Sequence, residues 1–427
     1  MSGEEEDEKE TYDPSAQIEY LKNIVNQFCN AGFLPDVWFE KFYKQYKEPN
    51  VRPQTFGKHI LTFPPEILEQ FVNNMSVVDM FMFAQSCEDL REIVIKEGAS
   101  RQSMLEICFV NDVLKGDRYF VKITVNDEET VWDFGSSNNQ YDKFKIVNVG
   151  GTHLVWEKEA STPGKVMLKA ENMAKSAGIL TYELLALFPN TRISNIAIDI
   201  DALDNVQQYF NKSQILECQK MALCGRFEID DAPGAKVLFD KFNFSKLLIV
   251  NKRLPDEYTH EKLSLPNRLV INKGEWVGRR TLLSLDLAEI SIRCVERTLL
   301  THKDFNDFIK HWLNGGFNRL QHFQIVLPNE YELTEEQLMD GITRLPVDPN
   351  RGVRLWRGRS FNNATIDIQR ENGLNASIVF GINSGLLRFE FVVWYERCYV
   401  LKNGMTTFEE DFELLPDMSN YDRHWHS

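Results

Sequence analysis

The chain reads as an α+β or α/β protein that is helical at its N-terminus and mixed thereafter. Three observations predict this. Apolar residues recur at helical spacing between about residues 60 and 95, strand-like alternation begins near residue 105, and beyond Pro189 helical segments alternate with short strands. At 427 residues there is room for roughly two to three domains. A hydrophobic content of 43% with 12% aromatic residues suffices for a packed core.

The first element is a tail. Residues 1–14, opening Met1-Ser-Gly-Glu-Glu-Glu-Asp-Glu-Lys-Glu10, are acidic and expected to be disordered, the opposite of a secretory signal. Residues 15–57 come next as a helical segment and linker. Ile18, Leu21, Val25 and Phe28 make one apolar stripe; Trp38, Phe42 and Tyr46 make another. A turn at 30–35 separates them, and Pro49, Pro53 and Gly57 mark the linker. This pair is expected to pack on or beside the next module, or to serve as a partner-binding arm.

Residues 58–100 form the next module. Pro64 and Pro65 preset a helix start, because a missing N–H costs nothing in a first turn. Ile67, Leu68, Phe71, Val72 and Met75 then fall on one helical face. Ser76 caps a second helix, with Asp79 three residues on as a short variant of the capping box. Phe81, Ala84, Leu90, Ile93 and Val94 continue the apolar pattern. So small a module rarely satisfies that many large apolar side chains by itself. Periodicity alone fits either a helical hairpin packed on its own chain or a surface that meets another protein.

From about residue 105 the pattern is that of strands. Tyr119–Val125, Glu129–Phe134 and Thr152–Trp156 alternate, with Gly-Gly and Ser-Ser-Asn-Asn turns between them. Tyr182–Phe188 reads as a helix ended by Pro189. The pattern break near residue 100 predicts that the chain from about 102 onward folds alone.

Beyond Pro189, short strands are expected at Ile193–Ile200, Leu247–Val250, Leu282–Leu287 and Leu320–Val326. The last, Leu320-Gln-His-Phe323-Gln-Ile325, is close to the Leu-x-x-Leu-x-Leu core of a leucine-rich repeat. The expected strand spacings, about 35–50 residues, are too long and uneven for a standard repeat. An irregular leucine-rich-repeat-like α/β horseshoe or an ordinary α/β sheet domain would each explain them.

The 58–100 module resembles an F-box, the adaptor-binding helical module of substrate receptors in cullin–RING ubiquitin ligases. The family's opening, an apolar residue then Pro-x-Glu-Ile/Leu-Leu, matches Phe63-Pro64-Pro65-Glu66-Ile67-Leu68. Its next apolar positions fall on Phe71 and Met75, its Ser-x-x-Asp-Leu turn on Ser76–Met80, and its Ser-Cys-Lys-x-aromatic-Arg end on Ser86–Arg91. Met80, Glu88 and Leu90 stand where the family has Leu, Lys and an aromatic. The resemblance implies that Phe63, Pro64, Ile67, Leu68, Phe71 and Met75 form the adaptor face or its immediate support.

A second resemblance lies further on. Asp304-Phe-Asn306-Asp-Phe308-Ile-Lys-His-Trp312-Leu-Asn-Gly315 predicts a helix with Asp304 as cap, Phe305, Phe308 and Trp312 on one face, and Gly315 at its end. Thr365-Ile-Asp367-Ile-Gln-Arg370-Glu-Asn-Gly373-Leu-Asn-Ala-Ser377-Ile378 predicts a hairpin turning at Asn372-Gly373, both of which accept positive φ. Together these resemble the type-2 F-box-associated domain abundant in nematode F-box proteins, whose closing strand falls on Phe389–Trp394. The strongest match spans 270–395, within a domain expected over 105–427. Trp312 and Trp394 fit either core packing or exposed anchors for a partner.

The two resemblances imply a non-catalytic receptor subunit of an SCF-type (Skp–cullin–F-box) ligase. Its partners would be a Skp-family adaptor, cullin through that adaptor, and a protein substrate of unknown identity; no cofactor is expected. The alternative is a free-standing interaction scaffold whose F-box-like helices are internal core. Composition agrees with an intracellular protein, cytoplasmic or nuclear. A net charge of −15 argues against nucleic-acid phosphate as partner, and no apolar run approaches a membrane span. Seven scattered cysteines are no disulfide framework, and Cys218 and Cys224 are too far apart for a zinc pair. Phosphate-binding Gly-rich loops and a Gly-x-Ser-x-Gly elbow are absent. Asp199, Asp201 and Asp204 suggest a solvated loop or a cation site, and His424 and His426 a frayed terminus or an adventitious metal site.

Overall fold

The structure, a computed structural model, describes residues 65–86, 88–110, 118–134, 145–149, 152–158, 164–169, 173–200, 216–225, 232–346, 353–356, 359–361, 365–383, 386–395 and 400–401. The acidic tail, the helices expected within 15–57, Phe63, Pro64, Asp201, Asp204, His424 and His426 lie outside the described residues. The chain divides into two compact units: Met1–Phe109, Arg118–Ser194 and Asp204–Lys212 form one, and Val110–Asp117, Asn195–Leu203 and Ser213–Ser427 the other.

The first unit opens with helices α1 (Pro65–Asn73), α2 (Val77–Ala84) and α3 (Glu88–Ala99). Ser76 caps α2: its Oγ accepts from the Asp79 N–H at 3.2 Å while its hydroxyl donates to Asp79 Oδ2 at 2.6 Å. Helix α2 is apolar nearly all round, with every residue but Asp79 buried, as a helix inside a core must be. Strands β1 (Ser103–Val110), β2 (Arg118–Val125), β3 (Glu128–Phe134), β4 (Lys145–Val149), β5 (Thr152–Lys158) and β6 (Lys165–Lys169) then form a sheet in the order β1-β2-β3-β6-β5-β4. The β2–β3 hairpin turns at Asn126 and Asp127, with φ of 49° and 68°. Two positive φ values are what a two-residue type I′ turn requires.

Helix α4 (Met173–Leu187) completes this unit. Three contacts tie α1–α3 to β3 and α4. Phe81 meets Trp132 with ring centroids 6.0 Å apart, and Arg91 Nη1 reaches Glu183 Oε2 at 2.6 Å. A Cβ on Gly98 would lie 2.1 Å from the Leu187 carbonyl oxygen, so only glycine lets α3 approach α4 this closely. The sequence pattern changes near residue 105, but packing does not divide there: the helices share a core with residues 118–194.

Strand β7 (Arg192–Asp199) is shared, Arg192–Ser194 counting with the first unit and the rest with the second. The second unit continues with β8 (Leu216–Cys224), α5 (Ala232–Lys241), β9 (Phe242–Val250), a 3₁₀ turn (Glu261–Ser264), β10 (Arg268–Ile271), α6 (Arg279–Ser284), β11 (Glu289–Arg293), α7 (His302–Leu313), β12 (His322–Leu327) and α8 (Glu335–Leu338). Then come β13 (Val353–Trp356), β14 (Arg359–Phe361), β15 (Ile366–Gln369), β16 (Asn375–Asn383), β17 (Leu386–Trp394) and β18 (Val400–Leu401). Strands β8 to β12 pair in parallel in chain order; β12 then pairs antiparallel with β17, with β16 and β15 beyond it. Strands β13, β14 and β18 make a separate small sheet.

Two expectations are corrected here. Leu282–Leu287 is not a strand. Gly278 and the Glu257 carboxylate start helix α6 there, Glu257 Oε2 accepting from Arg280 N at 2.9 Å and Thr281 N at 3.4 Å. A carboxylate on the orphan N–H groups favours helix over the strand that Leu283, Leu285 and Leu287 would otherwise suggest. The strand spacing is also shorter than expected. Met221, Leu248, Leu269, Ile290 and Phe323 align across the parallel strands at intervals of 27, 21, 21 and 33 residues. Strands β8, β10 and β11 lie between the strands the sequence predicts and shorten the interval.

The β15–β16 hairpin lies where Asn372-Gly373 predicts, but its turn is longer. Gly373 N donates to Arg370 O and Arg370 N to Leu374 O, both at 2.9 Å, leaving three loop residues. Only Gly373, at φ +86°, is left-handed, as in a type I turn closed by a glycine bulge; Asn372 Oδ1 instead accepts from Leu374 N at 3.1 Å.

Candidate functional site

Of the residues expected to form the adaptor face or its immediate support, four are described, and three of these are interior. Leu68, Phe71 and Met75 are 5%, 3% and 4% exposed, and Phe71 packs on Phe83 with ring centroids 5.5 Å apart. They support the helices rather than line their surface. Ile67 is half-buried, while Pro65, Glu66 and Gln70 face outward with Glu88, Asp89 and Glu92 of α3. Lys96 Nζ bonds Glu69 Oε1 at 2.6 Å across the exposed side of α1 and α3, and that bond raises the lysine's pKa. Met80 and Leu90, two of the departures from the F-box pattern, are fully buried; Glu88, the third, is exposed.

The signature residues of the second unit converge on one core. Asp304 does cap α7, though from its third position. Thr301 precedes the helix, and Thr301 N and Oγ1 each donate to Asp304 Oδ2 at 2.8 Å. Phe305, Phe308 and Trp312 are all fully buried. Phe308 stacks on Phe323 at 4.6 Å and meets Phe391 edge-on at 5.5 Å; Trp312 meets Phe391 edge-on at 5.3 Å. Gly315, at φ +93°, ends the helix. Asn306 Nδ2 donates to the carbonyls of Leu338 and Asp340 at 2.8 and 2.9 Å, fixing the end of α8 and the residues after it.

Arg370 joins the hairpin to that helix. Its guanidinium lies 4.4 Å from the Trp312 ring centroid, and its Nη2 donates to Gly316 O at 2.6 Å. Ser377 donates to the Asp367 carboxylate and accepts from Trp394 Nε1 at 2.7 Å. Trp312 is thus a core residue, while Trp394 is half-buried with its indole N–H held by the buried Ser377.

Two arrangements carry no local signal in the sequence. Register sets Arg268, Glu289 and His322 side by side in one row and Gln324 beside Glu390 in another, with Arg388 two residues before Glu390 on β17. His322 Nε2 lies 2.7 Å from Glu390 Oε1, Arg388 Nη2 lies 3.1 Å from Glu390 Oε2, and Arg268 Nε lies 3.6 Å from Glu289 Oε2. These residues lie up to 122 positions apart, from 268 to 390, so register alone unites them and no local motif announces them. At the C-terminal ends of β8, β9 and β10, Asn272 Nδ2 donates to Asn251 Oδ1 at 2.6 Å and Asn251 Nδ2 approaches Cys224 Sγ at 4.0 Å. This side-chain ladder steps across three successive parallel strands.

The thiols of Cys218, Cys224 and Cys294 are pushed up to about 12 by burial, so they stay protonated and unreactive at neutral pH. Among the described residues no three His, Cys, Asp or Glu gather as a metal site, and no helix is long and apolar enough to cross a membrane.

The sequence profile of a family described as F-box associated matches residues 258–325. This segment runs from the 3₁₀ turn through β10, α6, β11 and α7 into β12. It does not reach residues 58–100. No curated protein and no solved structure matches the chain.

Proposed function

We propose that the protein is a non-catalytic substrate receptor of an SCF-type ubiquitin ligase. The F-box-associated match over 258–325 carries this reading, and the Phe63–Leu68 pattern upstream supports it. Residues 58–100 would act as an F-box that docks a Skp-family adaptor and through it cullin. The domain downstream would hold a protein substrate near the ubiquitin-loaded enzyme. Its contribution is proximity, raising effective concentration without any bond chemistry of its own. Such a receptor works in the cytoplasm or nucleus. A leucine-rich-repeat-like build for β8–β12 is supported by the 21-residue intervals, within the ~20–29-residue range of such repeats, and by the Cys224–Asn251–Asn272 ladder.

The burial of Leu68, Phe71 and Met75 favours a second reading, an interaction scaffold whose F-box-like helices are internal core. Capture of a purified Skp-family adaptor by the full chain separates the two. The receptor reading expects capture, reduced by Ile67→Glu at the half-buried edge of α1, with the melting profile unchanged. Loss of an interface anchor typically costs ~2 kcal/mol or more, about 30-fold in affinity. No capture by the wild-type chain sinks the receptor reading and leaves the scaffold.

A further inference from the structure

We draw no further inference here: the strongest candidate, the exposed end of the β16–β17 hairpin around Gly381 and Ile382, carries nothing because no feature of the structure shows what covers it.

Discussion

Gly373 offers a clean test of backbone strain. Its φ is +86° and a Cβ added there would meet nothing within 4 Å, so conformation is the whole cost of a side chain. Valine resists positive φ, whereas asparagine tolerates it. Gly373→Val is expected to destabilise the hairpin by about 1–3 kcal/mol and Gly373→Asn by clearly less. Hydrogen exchange of the β15 and β16 amides reads this directly; equal protection in all three proteins would refute the turn. The dipeptide Asn372-Gly373 gave away the position of this turn but not its length. Backbone bonds of Arg370 to Gly373 and Leu374 close the three-residue loop, and the Arg370 guanidinium is held by Trp312 and Gly316, more than 50 residues earlier in the chain. The residues proposed for an adaptor face show the same limit. The spacing of Leu68, Phe71 and Met75 marks them as one apolar face, but whether it meets a partner or its own core depends on Phe83 and its neighbours.

Elements were legible where they are long and capped. Helix α7 combines an Asp304 cap, an aromatic face and a glycine stop, all local signals. Strand β10 has four residues, and so short an apolar run carries no period to read. Two outcomes belong to this scale. Gly98→Ala gains helix propensity worth up to ~1 kcal/mol. It also drives a methyl group to 2.1 Å from Leu187 O, where overpacking costs about 1–3 kcal/mol. Net destabilisation is expected in a urea melt, and a stabilised variant would show that α3 and α4 do not meet this closely. The second outcome concerns His260, which opens the 3₁₀ turn: its Nδ1 accepts from Lys262 N at 3.2 Å and its ring packs on Phe239 at 4.9 Å. Burial lowers its pKa below the ordinary imidazole value, opposed by Asp240 and Glu261 and aided by Lys262 and Lys236. The folded state therefore binds this proton less readily than the unfolded state. Stability is complete above the unfolded value of about 6.5, falls as pH drops below it, and levels off once the folded value is passed. Replacing His260 with Asn, which can still cap, should flatten that part of the pH–stability curve; an unchanged slope would exonerate His260.

At the scale of the whole chain, sequence periodicity marks off segments that packing groups differently. A strand pattern starting near residue 105 reads as a domain start, because periodicity changes there. The partners of the helices, Trp132, Glu183 and Leu187, lie 51 to 92 residues further along and share no local pattern with them. Removing residues 1–101 therefore tests which boundary governs folding. It would uncover Trp132, strip Glu183 of its arginine, and expose the α4 surface now covered by α3. Those losses fall within the first unit, and burying a large aromatic side chain alone is worth about 1.5–3 kcal/mol. Hydrogen exchange measured by mass spectrometry is expected to show lost protection across β2, β3 and α4. Protection should persist across β9–β12 and β16–β17, whose contacts cluster separately. If β2, β3 and α4 stay protected without the helices, residues 58–100 are an add-on module, free to present one face to an adaptor. If they open as expected, the helices hold the first unit together, and the proposed adaptor docking is confined to the outward side of α1 and α3, because Leu68, Phe71 and Met75 cannot leave the core without unfolding it.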